Sequence, residues 1–279
     1  MIGRRVDVDD LVAMLDEGVH ALVAGDRRIG KTTVCRAACA ALREERGMRV
    51  ISVEVPERST SVDLCQLIIA RCLASGPAAG RRLLGAATPL VEKLLSDQGI
   101  PLDLSAVSPE PAPVMRRAIL ELPLQIAAQG GRVVVFFDEL QRVAEYDDGD
   151  ELLHDLSDLY AGQDAAVILV DGSHQRTFDA LLGTTNGLGK LVHRRELAPT
   201  IARSEWRAGL TRRFEQAGHP IHPEALEQLL DFGTEQPYRT MTAARFAALT
   251  ARSLGGETDA FCVRDGIATA ERQLSDDGQ

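Results

Sequence analysis

Lysine is nearly absent from this 279-residue sequence, in which 3 lysines stand beside 28 arginines. The three are Lys31, Lys93 and Lys190. Because arginine fills almost every other basic position, each lysine needs a chemical explanation. Residual drift explains Lys93, whereas Lys31 lies in a motif that requires this residue type.

The sequence also lacks a long apolar run and a regular cysteine pattern. Its longest strongly apolar run, Val133–Phe137, is far shorter than the roughly 20 residues of a membrane-spanning helix. Residues 1–15 contain no uninterrupted apolar stretch typical of a signal peptide. The five cysteines form no Cys-x-x-Cys pair and have no histidine at zinc-finger spacing, so we favour small core residues over a metal site. These absences predict a cytoplasmic protein with reduced thiols and no membrane segment.

Basic residues are outnumbered by acidic ones, and the formal net charge is −10. This balance disfavours broad nonspecific binding of nucleic acid but does not exclude a local basic patch. Six arginines lie within residues 194–213, where we favour a solvated helix face interleaved with Glu205 and Glu215 over a DNA or partner contact. Nine acidic residues lie within residues 138–158, and we interpret most of them as a solvated loop and helix start rather than a calcium site.

Strand-like and helix-like segments alternate through the first 200 residues, which indicates an α/β fold. Near-continuous apolar runs predict buried strands at residues 20–25, 49–55, 132–138 and 165–171, and a weaker strand at 191–197. Helical patterns occur at residues 31–45, 61–74, 81–95 and 114–129. We therefore expect a parallel sheet covered on both faces, with a helical insertion over about residues 76–130. The insertion either packs as extra helices on the sheet edge, which we favour, or forms a partner surface.

Strand patterns end after Pro199, and four helical patterns follow. They cover residues 204–216, 223–230, 238–254 and 260–274. We expect a core domain over residues 1–200, a small all-helical C-terminal domain over residues 201–274 and a polar tail over residues 275–279.

Residues 25–32, with the sequence GDRRIGKT, fit the pattern G-x-x-x-x-G-K-[ST] between a strand and a helix. Gly25 and Gly30 permit backbone conformations in which N–H groups turn towards phosphate oxygens, and the N-terminus of the following helix attracts an anion. Lys31 can reach the β- and γ-phosphates as a compact charge, in a slot that planar arginine does not fit. The Thr32 hydroxyl can ligate Mg²⁺. The motif predicts binding of nucleotide phosphates by Gly25, Asp26, Arg27, Arg28, Ile29, Gly30, Lys31, Thr32 and Thr33.

An apolar strand followed by two acids, Val133–Phe137 with Asp138 and Glu139, is the Walker B pattern. We expect Asp138 to hold Mg²⁺ through water, and Glu139 to orient and polarise the attacking water. P-loop kinases often lack the second acid, so Glu139 favours ATP hydrolysis over transfer to another substrate. Two acids at a strand end could also mark a simple exit into solvent, but the phosphate loop favours the catalytic interpretation.

These motifs resemble those of the archaeal-type ATPases, which belong with the AAA+ and STAND groups of P-loop NTPases. The resemblance is carried by GDRRIGKTT at residues 25–33, FFDELQ at 136–141, LVDGS at 169–173, and Ile2-Gly3-Arg4 as an adenine-side box before an acidic helix. It covers nearly the whole chain. It implies a core sheet with the strand order 5-1-4-3-2 and ATP held between that core and a helical lid.

The resemblance also implies roles for residues outside the two motifs. Ser173 is the expected sensor of the γ-phosphate or the attacking water, although a turn or a helix cap explains it equally well. Asp171 is the less favoured sensor, because a carboxylate repels phosphate unless Mg²⁺ intervenes. Ile2 and Pro237 are expected at the adenine, and Arg239 is expected to sense phosphate from the lid.

The sequence departs from the family in two places. Lys190 stands where the family often has an arginine finger, with Arg194 and Arg195 as further candidates, and a lysine lacks the bidentate fork of arginine. The usual Gly-x-Pro of the lid has Glu235 in place of its glycine, two residues before Pro237.

Together these features predict an ATP-binding, Mg²⁺-dependent P-loop ATPase of AAA+/STAND type, slow without a partner. It is expected to act as a nucleotide-controlled switch on a protein partner or through self-assembly. The alternative is a nucleotide-gated DNA-associated regulator, similar to origin-recognition initiators or transposition ATPases. Such regulators usually carry a DNA-binding module after the lid, so DNA is the less favoured partner. A P-loop small-molecule kinase is favoured still less.

Overall fold

The structure, a computed structural model, describes residues 1–75, 113–172 and 187–276. The chain divides into two compact units. The sheet unit comprises Val8–Ala24 and Lys31–Glu196, and the helical unit comprises Met1–Asp7, Gly25–Gly30 and Leu197–Gln279. The domain limits at residues 200 and 274 and the insertion over residues 76–130 stay predictions. The helix predicted at residues 81–95 lies outside the described residues.

Parallel strands form the sheet of the sheet unit. They are β1 (Ala21–Ala24), β2 (Arg49–Glu54), β3 (Val133–Asp138), β4 (Ala166–Asp171) and β5 (His193–Glu196). Their order is β2-β3-β4-β1-β5, which is the predicted order 5-1-4-3-2 read from the opposite edge. The α/β fold with a P-loop NTPase sheet is therefore confirmed.

Helices cover both faces of this sheet. Those described before β5 are α1 (Arg5–Asp16), α2 (Lys31–Arg46), α3 (Ser61–Ala74), α4 (Pro113–Leu120), α5 (Leu122–Ala128), α6 (Gly149–Tyr160) and the short α7 (Leu188–Leu191). Every second residue of β3, from Val133 to Phe137, packs in one core cluster with α3, α4, α5 and α6, while α2 lies against β1 to β4. All residues of β3 and β4 are buried, which explains their unbroken apolar sequences.

Local sequence signals set two helix boundaries of the sheet unit. Thr60 caps α3 in a reciprocal capping box with Asp63. The helical pattern predicted over residues 114–129 is present as two helices, because Leu120 ends α4 and α5 begins at Leu122. Pro123 lies in the first turn of α5, where its missing N–H is tolerated; inside one continuous helix its ring would clash with the preceding turn.

Most acids of residues 138–158 are solvated, as predicted: five of the nine are exposed, namely Glu145, Asp147, Asp150, Glu151 and Asp158. A 3₁₀ helix (Leu140–Glu145) leads into α6, and the buried Arg116 donates hydrogen bonds of 2.9 Å to both Asp148 and Asp155. Two of the nine acids are therefore bound by a long-range arginine, which the local sequence could not reveal.

The helical unit has its own apolar core. Its helices are α8 (Arg203–Gln216), α9 (Pro223–Gly233), α10 (Pro237–Leu254) and α11 (Ala260–Asp276). Trp206, Leu210 and Phe214 of α8 pack with residues of the other three helices. The predicted C-terminal helical region is therefore present. No helix of the described part of the chain is long and apolar enough to cross a membrane.

All five cysteines are buried free thiols. Burial raises the pKa of Cys39, Cys65 and Cys72 to about 12. Their interpretation as small core residues therefore holds.

Candidate nucleotide-binding site

The loop between β1 and α2 has the backbone conformation that the glycine pattern predicts. Gly25 has φ +135° and Gly30 has φ +98°. A Cβ at Gly25 would lie 2.5 Å from the Ile29 side chain, whereas the space beside Gly30 is open to at least 4 Å. Ile29 is buried, and Asp26, Arg27 and Arg28 are exposed. The loop therefore has one anchored side chain and an open edge at Gly30.

Arg4 holds this loop from the N-terminal segment of the helical unit. Its side chain is buried, and its Nη2 donates to the Ile29 carbonyl at 3.2 Å and to the Ala198 carbonyl at 2.6 Å. In a trans peptide the C=O and the following N–H point in opposite directions. Because the Ile29 carbonyl is directed at Arg4, the Gly30 N–H is directed away from Arg4. Sequence reasoning placed Arg4 in a family box but missed this role.

The Thr32 hydroxyl, in the first turn of α2, lies near the ends of two adjacent strands. Its Oγ1 donates to Asp171 Oδ2 at 2.7 Å and lies 3.3 Å from Asp138 Oδ1. Asp138 and Asp171 are register partners at the ends of β3 and β4. Lys31 is buried at the start of the same helix, and Thr33 is exposed. The Thr32 hydroxyl of the glycine-loop motif thus reaches the carboxylates of Asp138 and Asp171 because Thr32 lies in the first turn of α2.

Burial dominates the electrostatics of these two carboxylates. Desolvation raises the pKa of Asp171 to about 7, although the Thr32 hydrogen bond opposes this shift. Desolvation also raises the pKa of Asp138, against the attraction of Arg36, whose Nη2 lies 3.1 Å from Asp138 Oδ2. A divalent cation binds the deprotonated carboxylates, so a bound cation would oppose these shifts and lower both pKa values.

The donor set fits Mg²⁺. A hydroxyl and carboxylates are hard oxygen ligands of the kind that Mg²⁺ takes from proteins, usually one or two carboxylates with the remaining positions left to water and phosphate. Thr32 and Asp138, the two predicted ligands, lie 3.3 Å apart through Oγ1 and Oδ1. The chemistry of these side chains therefore suits the predicted cofactor.

Glu139 has an unusual backbone conformation directly after β3. Its φ is +61° and its ψ is +42°, a left-handed conformation that is uncommon for residues other than glycine. The side-chain amide of the buried Gln141 donates to the Glu139 carboxylate. Strained conformations of this kind cluster at functional sites, so Glu139 is a candidate catalytic group on structural grounds as well. The role of Gln141 was not anticipated from FFDELQ.

The predicted lid residues lie at the start of α10 or beside it. Arg239 donates from Nε to the Phe232 carbonyl at 2.7 Å and stacks over the Phe232 ring at 4.2 Å. The Arg28 guanidinium lies over the ring of Tyr238, next to Pro237, at 4.6 Å from the ring centroid. The loop residue Arg28 and the first turn of α10 are therefore in contact.

The N-terminal residue Ile2 belongs to the core of the helical unit. Its side chain is buried and packs against Gly209, where an added Cβ would lie 2.6 Å from it. Ser173, the predicted sensor, lies outside the described residues. The adenine role of Ile2 and the sensor role of Ser173 stay predictions.

Arginines of the basic stretch over residues 194–213 are partly engaged in ion pairs. Arg194 pairs with Glu196 at 3.1 Å, and Arg195 pairs with Asp10 at 2.7 Å. Arg203 and Arg207 both bind Glu227 at 2.8 Å. Lys190 is exposed in α7. Arg203 and Arg207 are thus compensated on the helix α8, whereas Arg194 and Arg195 lie in β5 and are not part of a helix face.

The sheet order, the glycine loop and the acidic strand end define a P-loop NTPase. The sequence model of the AAA domain family matches residues 16–176, which is more than half of the chain. The protein therefore belongs to the AAA family of P-loop ATPases.

Solved structures share the fold. The ORC1 protein of Aeropyrum pernix, solved in complex with DNA, is 16% identical with a TM-score of 0.65 over 98% of this chain and 66% of its own. The ORC2 protein of the same organism is 16% identical with a TM-score of 0.66 over 96% of this chain and 68% of its own.

Domain III of the Thermotoga maritima replication initiation protein DnaA is also similar. It is 11% identical with a TM-score of 0.57, over 96% of this chain and 92% of its own. This chain thus spans about two thirds of the ORC proteins and nearly the whole DnaA domain. A comparison with curated protein sequences found no match.

Proposed function

We propose that this protein is an ATP-binding, Mg²⁺-dependent ATPase of AAA+/STAND type that acts as a nucleotide-controlled switch on a protein partner in the cytoplasm. The observation that carries the proposal is the position of the Thr32 hydroxyl at the strand ends, 2.7 Å from Asp171 and 3.3 Å from Asp138. Family membership supports nucleotide binding.

The loop and the first turn of α2 bind the phosphates in this proposal. N–H groups of Gly25–Gly30 and the helix N-terminus face the anion, and Lys31 neutralises the β- and γ-phosphates. Asp26, Arg27 and Thr33 border the same groups, and Ile29 anchors the loop. Thr32 and Asp138 hold Mg²⁺, which supplies charge neutralisation of the phosphates when bound.

Glu139 orients and polarises the attacking water, and Gln141 holds the Glu139 carboxylate. Ser173 senses the γ-phosphate, Ile2 and Pro237 border the adenine, and Arg239 reads phosphate from the helical domain of residues 201–274. Turnover is slow without the partner. The presence of Glu139 after Asp138 supports hydrolysis over a kinase reaction, because P-loop kinases often lack this second acid.

Two substitutions of Lys31, one that removes its charge and one that keeps it, test nucleotide binding. Titration with a fluorescent ATP analogue is expected to give at least about 100-fold weaker binding for Lys31→Ala and for Lys31→Arg, because a planar guanidinium does not fit the lysine slot. Arg43→Ala, an exposed charge on the same helix, is the control and is expected to bind as wild type does. Wild-type binding by Lys31→Ala would contradict the proposal.

A second candidate is a nucleotide-gated DNA-associated regulator. Two structural relatives support it: ORC1 was solved in complex with DNA, and DnaA is a replication initiation protein. The ion pairs of Arg194, Arg195 and Arg203 argue against it. An ATP-dependent, salt-sensitive gel shift of duplex DNA would favour this candidate, and capture of one protein by the ATP-loaded Glu139→Gln variant would favour the switch.

A further inference from the structure

The Thr32 hydroxyl is shared unequally between two carboxylates. A hydroxyl has one proton and can donate to a single acceptor at a time. Its Oγ1 lies 2.7 Å from Asp171 Oδ2 and 3.3 Å from Asp138 Oδ1. The shorter distance is the usual one for a hydroxyl donor, and the longer one is beyond the usual range. The proton of Thr32 therefore goes to Asp171.

The surroundings of the two carboxylates also distinguish Asp171 as the acceptor for Thr32. Asp171 has only 1% of its surface exposed, at the end of the central strand β4. Asp138 receives the Arg36 guanidinium at 3.1 Å, and this arginine side chain is 65% exposed. Asp138 thus has a solvent-accessible partner that a cation can displace, whereas Asp171 has an internal partner in Thr32.

We propose that Asp171 is a positioning residue for the Mg²⁺ site, which accepts the Thr32 proton and so leaves the hydroxyl lone pairs for the metal. Asp138 is then the carboxylate that holds the metal. This assignment differs from a phosphate sensor, since Asp171 acts through Thr32 and needs no contact with phosphate. It rests on the proposed nucleotide function. Partners that orient a metal ligand typically change metal affinity by about 10- to 100-fold.

The test measures how strongly Mg²⁺ increases nucleotide affinity. A fluorescent ADP analogue is titrated into the whole protein with Mg²⁺ and again with EDTA, and the ratio of the two dissociation constants is the readout. Asp171→Ala is expected to reduce this ratio by about 10- to 100-fold while binding in EDTA is kept or strengthened. Asp171→Asn is expected to restore part of the ratio, because its amide oxygen still accepts the Thr32 proton.

Asp164→Ala is the matched control. Asp164 is an exposed aspartate just before the opposite end of β4, and its variant is expected to keep the wild-type ratio. Thr32→Val is expected to show the same loss as the double variant Thr32→Val/Asp171→Ala, because Asp171 acts through the hydroxyl. If Asp171→Ala does not fold, the intermediate ratio of Asp171→Asn carries the test.

A wild-type ratio for both Asp171 variants would overturn the proposal while leaving nucleotide binding intact. Fully additive losses in the double variant would overturn it as well, since Asp171 would then act independently of Thr32. Absence of nucleotide binding by the wild-type protein in both Mg²⁺ and EDTA is a separate result, and it would overturn the proposed function together with this inference.

Discussion

The Nη2 atom of Arg4 donates a hydrogen bond to the carbonyl oxygen of Ile29 at 3.2 Å. The same atom lies 2.6 Å from the Ala198 carbonyl, just after β5. A residue near the N-terminus therefore fixes the orientation of the peptide before Gly30 and joins it to the segment that enters the helical unit. The phosphate loop thus depends on an arginine outside its own motif.

Removing this arginine is expected to weaken nucleotide binding. Arg4→Ala releases the Ile29 carbonyl, so the Gly30 N–H loses its fixed direction, and we expect about 10- to 100-fold weaker ATP binding by fluorescence titration. The ATP affinity of Arg4→Lys is expected to lie between those of wild type and Arg4→Ala, since a point charge cannot reproduce the guanidinium geometry. Arg5→Ala, at the exposed neighbouring position, is the control. Unchanged affinity of Arg4→Ala would show that the loop orients itself.

Gln141 is expected to act on turnover rather than on binding. Its amide donates to the Glu139 carboxylate, and replacement by the similarly sized Met removes this one hydrogen bond and so loosens the direction of the carboxylate. We expect kcat to fall about tenfold with KM nearly unchanged, measured by steady-state phosphate release. A rise in KM at constant kcat would instead assign Gln141 to substrate binding.

Glu235 carries backbone strain that a glycine would relieve. Its φ is +62°, next to Thr234 at +48°, and both values lie in the left-handed region that favours glycine. Left-handed residues other than glycine cost of order 1 kcal/mol, so Glu235→Gly is expected to stabilise the protein by about 0.5–1 kcal/mol in urea unfolding. Glu271→Gly within the helix α11 is the opposite control and is expected to cost about 1 kcal/mol. Destabilisation by Glu235→Gly would indicate a contact of the glutamate side chain that outweighs the strain.

The buried His20 is expected to make stability sensitive to acid. Its Nε2 lies 3.1 Å from the Tyr160 carbonyl, its Nδ1 accepts from the Ile168 N–H at 2.9 Å, and burial lowers its pKa. The unfolded chain therefore takes up the proton first as the pH falls below about 6.5. The stabilisation by His20 is complete above this pH and decreases below it, by at most about 1.4 kcal/mol per pH unit.

Urea unfolding between pH 8 and pH 5 checks this expectation. The stability difference between wild type and His20→Gln is expected to shrink as the pH falls through the range below 6.5. His154→Gln removes a largely exposed histidine of α6 and serves as the control. A difference that stays constant over the whole range would show that His20 is not the group responsible.

Much of the fold and the centre of the site could be predicted because their signals are local. The glycine loop with Lys31 and Thr32 is a contiguous pattern, and β3 with Asp138 and Glu139 is another. The family resemblance supplied the strand order, which pattern alone does not give. The resemblance also singled out Glu235, and the structure adds that its φ is +62°, in the left-handed region that favours glycine.

The missed features depend on contacts between distant parts of the chain. The bond from Thr32 to Asp171 spans 139 positions, and the bond from Arg4 to Ala198 spans 194. No periodicity or spacing rule encodes such pairs. The ion pairs of Arg116 could not be predicted for the same reason. Pro123 is different, because it is a local signal for the break between α4 and α5, and the helical pattern around it was given more weight.

The turnover of Glu139→Gln tests the central claim, ATP hydrolysis at this site, most directly. With saturating ATP and Mg²⁺, phosphate release by this variant is expected to fall at least about 100-fold, while its ATP affinity stays within about threefold of wild type. The control is Glu145→Gln, which changes an exposed glutamate at the end of the 3₁₀ helix that follows Glu139. This variant is expected to release phosphate at the wild-type rate. Hydrolysis by Glu139→Gln as fast as wild type would contradict the account.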